Sequence, residues 1–302
     1  GAVRLLRWEV GEVSESERSE FTLDTGDWRR YQRGVGRGGG RGAHVADQRE
    51  AFDARVEAHR DKFFAAAAGA LAPRLAEEHR LFSYFAPGSP EAKRIDILRS
   101  QLLFPFHGEP PRTIMITSAA PQEGRSLLTT NLAISFARGL QQFVMIMDCH
   151  LTDPAIHQLL QVPRHPGLTD FLERGASVPS IIHRTPVEKL TVIPAGNPSQ
   201  RPAEILSTDK MAGLVAELRA RYRDRFILLD TPPIQAFDDP QVLARLVEAI
   251  IFVVLTGETD RELVLRGLRA LPEEKIIGIV LNDAENAVVD ATAVGGGSEM
   301  EV

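Results

Sequence analysis

"TIMITSAAPQEGRSLLTTNLAISFARG", Thr113 to Gly139, decides the fold. The opening "TIMITS" is apolar or β-branched with little interruption, the composition of a strand buried on both faces. Leu127 to Arg138 reads as a helix, and Gly139 supplies its stop. Between them "EGRS" sets Gly124 and Ser126 directly before the helix. Strand, turn and helix start in that order form the frame of a phosphate-binding loop. In such a loop backbone N–H groups point inward, a lysine reaches the terminal phosphates, and a Ser or Thr meets Mg²⁺. The lysine's place holds Arg125. A plain strand-to-helix connection that binds no phosphate is the other reading of these residues.

Working outward, the same alternation continues. "FVMIM" from Phe143, "LTVIPA" from Leu190, "FILLD" from Phe226, "AIIFVVL" from Ala249 and "IIGIVLN" from Ile276 are further buried-strand candidates separated by helical stretches. This β-α-β-α order predicts an α/β fold: a doubly wound, mostly parallel sheet with right-handed crossovers. Ligands of such sheets sit beyond the carboxyl ends of the strands. Two acidic residues stand there, Asp148 after "VMIM" and Asp230 after "FILL". A carboxylate leaving a buried strand beside a phosphate loop can hold Mg²⁺ directly or through water, and a second can polarise the attacking group. Either alone could be a helix cap or a turn residue.

Composition sets the outer limits. The 302 residues are 43% apolar and 25% charged, which suits a globular protein with a sizeable core, and the net charge of −6 argues against a surface that is basic throughout. The one cysteine, Cys149, cannot form an intramolecular disulfide and suits a reducing cytosol. It reads as a small buried filler. "FFAAAAGALA" from Phe63 is far shorter than the roughly 20 apolar residues that span a bilayer. Residues 1–46 read as a disordered tail, acidic at first and then rich in arginine and glycine from Arg29 to Gly42. That segment is taken as a linker, so no nucleic acid is expected. Residues 47–88 read as a helical extension, with "APGSP" at Ala86 as the domain boundary; the body runs over 89–283, and 284–302 is an unstructured tail.

Several stretches carry a family resemblance: "TSAAPQEGRSLLTTNLAISFA", "MDCHLTDP", "GLTDFLERG", "VIPAGNPSQRPAEILST", "LLDTPPIQAFDDPQVLAR" and "IIGIVLN". From Glu91 to Asn282 the chain resembles the bacterial tyrosine kinases (BY-kinases) and their stand-alone cytoplasmic relatives, P-loop ATPases that regulate capsule and exopolysaccharide synthesis and export. The resemblance implies a site for ATP or ADP with Mg²⁺. Glu123, Gly124, Arg125, Ser126, Leu127 and Asn282 would contact the nucleotide, Asn282 at the base. Ser126 and Asp230 would hold the metal, and Asp148 and Arg125 stand at the catalytic positions. It further implies a membrane polysaccharide copolymerase or another exopolysaccharide-export component as partner, a homo-oligomer, and a cytoplasmic protein recruited to the inner face of the plasma membrane. Partitioning ATPases carry an additional lysine early in the loop, where this chain has Ala120.

Departures from the family pattern are concentrated at the chemistry. "PGEGKS" becomes "PQEGRS". Arginine is longer than lysine, planar, and carries its charge in a fork, so phosphate attraction can survive while positioning does not. Gln122 replaces a glycine, which costs on the order of 1–3 kcal/mol if that position needs positive φ. The family's Asp-x-Asp reads Asp148-Cys149-His150 here, and an imidazole is a poor partner for a hard, hydrated Mg²⁺. The oligomerisation motif, a glutamate and two arginines spaced by two residues, aligns with Lys93, Asp96 and Arg99. Tyrosines stand only at Tyr31, Tyr84 and Tyr222, leaving no tyrosine-rich tail to phosphorylate. Three functions follow: a nucleotide-binding or pseudo-enzyme regulator, which these departures favour; an active tyrosine autokinase or ATPase; and a partitioning-type ATPase on nucleic acid.

Overall fold

The structure, a computed structural model, describes residues 4–6, 80–105, 108–199, 201–222, 224–235 and 239–282. Along the chain lie β1 (Arg4–Leu6), α1 (Phe82–Phe85), α2 (Pro90–Leu103), β2 (Thr113–Ser118), α3 (Arg125–Arg138), β3 (Phe143–Asp148), α4 (Ile156–Leu159), α5 (Leu168–Arg174) and α6 (Val178–Ile181). There follow β4 (His183–Arg184), β5 (Leu190–Ile193), α7 (Pro202–Leu206), α8 (Asp209–Arg221), β6 (Arg225–Asp230), α9 (Asp239–Ala244), β7 (Ala249–Leu255), α10 (Arg261–Arg269) and β8 (Ile276–Asn282). The Arg29–Gly42 stretch, most of the expected helical extension and the tail after Asn282 lie outside the described residues.

The strands form one sheet in the order β1-β8-β7-β2-β6-β3-β5-β4. From β8 through β5 every pairing is parallel. Each long apolar run of the sequence is a strand, and side chains alternate between two cores. Ile114 and Ile116, Val144 and Ile146, and Phe226 and Leu228 face one side, whereas Met115, Met145, Met147, Ile227 and Leu229 face the other. That is why these strands show no polar-apolar alternation: both faces are covered by helices.

Two edge strands were not legible in the sequence. β4 pairs antiparallel with β5, and β1 pairs antiparallel with β8, so three residues of the segment expected to be an unstructured tail lie in the sheet. Two or three residues are too few to show a period. The run from Leu190 stops at Ile193 because Pro194 has no N–H for the ladder. Its carbonyl accepts instead from Leu168 N–H at 2.7 Å.

Helix α3 crosses the centre of one face and is buried almost along its whole length. Phe136 on it stacks on Phe226 of β6 with ring centroids 4.5 Å apart. Against it lies α2, which starts where Ser89 caps Ala92 N–H at 3.2 Å with Pro90 in the first turn. Leu81, Tyr84 and Phe85, which precede the expected boundary at Ala86, belong to this same core. The "APGSP" turn therefore joins two helices of one body. Asn131 of α3 pins the first of them, accepting from Ser83 N–H at 3.0 Å and donating to Arg80 C=O at 3.1 Å.

Candidate functional site

The carboxyl ends of β2, β6 and β3 are neighbours in the sheet and converge on the start of α3. Asp148 and Asp230 sit opposite each other at the ends of β3 and β6. The loop from Ala119 to Gly124 bridges from β2 into the helix. It has the left-handed residues of a phosphate loop: Gln122 at φ 62° and Gly124 at φ 86°. The condition attached to Gln122 is therefore met, and a side chain is carried where the backbone favours glycine. At Gly124 the left-handed backbone would strain any side chain, and a Cβ would also push aside the Asn282 side-chain amide. Asn282 instead donates its Nδ2–H to Glu123 C=O at 3.0 Å.

Glu123 is almost fully buried, and its carboxylate serves the loop itself. It accepts from Ala120 N–H at 2.7 Å and from the Thr259 hydroxyl, with Leu255 N–H at 3.5 Å. The bracket ties the loop to the turn between β7 and α10. Its side chain is thereby committed to holding loop shape, a role that the nucleotide-contact expectation did not include.

Arg125 opens α3 and is only 7% exposed. Its Nη1–H groups donate to Ser118 Oγ and, at 3.0 Å, to Ala120 C=O, so the guanidinium lies against the inside of the loop. Its Nε–H is buried with no partner among the described residues. Burial pulls the guanidinium's proton affinity down, and the charges of Asp230 and Glu123 push it back up. The side chain thus sits in the electrostatic field of both carboxylates.

Ser126 donates to Asp230 Oδ2 at 2.6 Å, and Thr129 reaches Oδ1 at 3.4 Å. Burial raises the Asp230 carboxyl to about 6, against the lowering effects of Ser126, Arg125 and Thr129. Asp148 is also held well above the usual carboxylate range, first by burial and then by the Asp230 charge, while backbone N–H groups pull it down. Among them are His150 at 3.1 Å and Ile156 at 3.2 Å. Asp148 thus also organises the loop after β3. Beside it, burial and the Arg125 charge hold the His150 imidazole down to about 4, so it is neutral at pH 7.

Beyond the loop an open cleft of about 300 Å³ is lined by Phe82, Ile95, Gln122, Leu127, Leu255 and Asn282, among others. Its size is at the low end for a small-molecule site, and its walls mix apolar side chains with Arg80, Glu91 and the amides of Gln122, Asn131 and Asn282. Ser126, Asp230, Arg125 and Asp148 thus come together at the strand ends, while Leu127 and Asn282 face this adjoining cleft. An oxygen pair from Ser126 and Asp230 fits Mg²⁺; the third position, His150, does not.

Sequence reading missed several residues. Thr129 lies one turn from Ser126, so helical spacing alone would have placed it on the same face. Ser118, Thr259 and the α1 wall carried no such signal. Of the aligned oligomerisation positions, Lys93 is exposed, whereas Asp96 and Arg99 turn toward α3. Arg99 donates to Ser135 C=O at 2.6 Å, and Asp96 accepts from Ser135 Oγ and pairs with Arg99 at 3.4 Å.

Comparison with known proteins gives the lineage. No family model matches the chain. Tyrosine-protein kinase YwqD of Bacillus subtilis (strain 168) is 30% identical over 198 residues, which span 65% of this chain and 82% of that protein. The succinoglycan biosynthesis transport protein ExoP of Rhizobium meliloti (strain 1021) is 30% identical over 183 residues, 59% of this chain but 23% of its own length. Among solved structures, the chimerical protein CapA2B2 superposes with a TM-score of 0.61 at 28% identity, covering 67% of this chain and 88% of that one. Parallel sheet, strand-end carboxylates and loop together with these similarities lead to one conclusion: the chain belongs to the bacterial tyrosine-kinase family of P-loop ATPases.

Proposed function

We propose that this protein is a nucleotide-binding pseudo-enzyme that regulates exopolysaccharide or capsule synthesis and export. In this reading ATP or ADP enters with its base in the cleft beside Asn282 and Leu127 and its phosphates at Gly124, Arg125 and Ser126. The observation that carries it is the anchoring of Arg125. Phosphoryl transfer needs a cation that follows the charge developing in the transition state. A guanidinium tied to Ser118 and Ala120 is held back from that task. A loop of left-handed shape with a helix start behind it still supports binding. Binding outlasts turnover.

The pathway rests on kinship: a relative is named for succinoglycan biosynthesis transport, and others are tyrosine-protein kinases. A membrane polysaccharide copolymerase or another export component is the partner that this kinship supports, reached from the cytoplasmic side. Among the described residues no helix is long and apolar enough to cross a membrane. An active autokinase is the second reading, favoured by the retained pairing of Asp148 with Asp230.

Calorimetric titration of the full chain with ATP, run beside phosphate-release and autophosphorylation assays, separates the two. The regulator gives micromolar binding, a free energy near −8 kcal/mol, with release no faster than buffer. Turnover that disappears in Asp148→Asn or Asp230→Asn overturns it in favour of the kinase, and a flat titration removes the nucleotide altogether.

A further inference from the structure

We infer that Arg125 is a built-in cation of this site: nucleotide phosphates are gripped by its guanidinium, and binding needs no divalent metal. The inference rests on the nucleotide-binding reading above and deepens it. A metal beside a phosphate loop offsets two sets of negative charge, the phosphates and the strand-end carboxylates. In this chain the positive charge is a bulkier guanidinium pinned inside that enclosure on Ser118 and Ala120, where other phosphate loops have a lysine that reaches out to the terminal phosphates. Arg125 interacts electrostatically with Asp230, Glu123 and His150. Ser126 and Asp230, the pair that fits Mg²⁺, are already hydrogen-bonded to each other at 2.6 Å. The place of a further carboxylate is taken by His150, an imidazole held neutral.

The geometry of the arginine completes the case. Nη1 is spent on Ser118 Oγ and Ala120 C=O, which fixes the plane of the group. Nε–H is buried and has no acceptor among the described residues, on a side chain 7% exposed. A charged donor without an acceptor is costly to bury, so the site is incomplete as it stands. Nε and the second terminal nitrogen share one edge of the guanidinium, the edge that takes two oxygens of a phosphate side-on. Left-handed Gln122 and Gly124, and the start of the 14-residue helix α3, add converging backbone N–H groups. A divalent ion brought into the same low-dielectric space would meet the repulsion of the guanidinium. Arginine therefore takes over the charge compensation and displaces the metal from it.

Titration of the full-length chain with ADP and with ATP, each in magnesium chloride and in EDTA, tests this. Wild-type dissociation constants should agree within about threefold between the two conditions, a difference under 1 kcal/mol. Arg125→Lys, with a compact ammonium on a thinner stem, should bind about tenfold or more tighter with Mg²⁺ than without it. Arg125→Met should lose binding in EDTA, and thermal unfolding without nucleotide verifies that both variants fold. Wild-type binding that appears only with Mg²⁺ overturns the inference and leaves the regulator reading standing. No binding of either nucleotide in either condition overturns both. The wild-type comparison decides the matter even if both variants misfold.

Discussion

His150 shows how much one residue can reveal about its surroundings. In the unfolded chain its imidazole titrates near 6.5, whereas in the fold burial and Arg125 hold it down to about 4. Well above pH 6.5 both states are neutral. As pH falls toward 4 the unfolded state gains a proton that the folded state refuses, so stability is lost across that window. Asp230, raised to about 6, acts in the opposite sense, because its folded form holds a proton that the unfolded chain has released. Comparing wild type with His150→Gln isolates the imidazole. The variant should be less acid-sensitive, gaining on the order of 2 kcal/mol on wild type between pH 7.5 and pH 4.5. Urea unfolding at the two pH values measures it, and parallel loss in both proteins would rule the mechanism out. Asp148 and Asp230 were legible from order because each closes an apolar run, and Arg125 and Ser126 because they stand where a helix begins after one. Thr259 was not, since its bond to Glu123 joins residues 136 positions apart.

At the scale of elements the informative contact is between α2 and α3. Asp96 accepts from Ser135, pairs with Arg99 at 3.4 Å and approaches Arg138 at 3.9 Å, so one carboxylate gathers three partners from both helices. The group is partly exposed, which screens the ion pairs and leaves the hydrogen bond as the larger contribution. Asp96→Ala should cost about 1–2 kcal/mol, read from the shift in urea midpoint. A neutral result would mean that apolar packing of Ile95, Leu98 and Leu102 holds the seam alone. Helix α2 starts at Ser89 and Pro90, a cap and a first-turn proline, inside the "APGSP" stretch that read as a boundary in the sequence. What α2 packs against could not be read there, because Lys93, Asp96 and Arg99 were seen only as the positions aligned with an oligomerisation motif. Alignment to a family motif points outward, whereas Ser135 draws Asp96 and Arg99 inward.

For the whole molecule the governing fact is that the central strands have no outer face. Ile227 and Leu228 are adjacent on β6, both fully buried, and belong to opposite cores. Ile227→Ala and Leu228→Ala should each cost about 2–5 kcal/mol in urea unfolding. A sheet covered on one side would give one large and one negligible loss. This two-sided burial made the parallel fold legible, since uninterrupted apolar runs have few other uses in a chain of this composition. The sheet's margins left no comparable trace. Both margins are antiparallel and short, β1 beside β8 and β4 beside β5. An abbreviated, reversed rim offers a passing extended peptide scarcely two rungs to climb, so the ladder that builds this protein is poorly suited to recruiting strangers into fibrils.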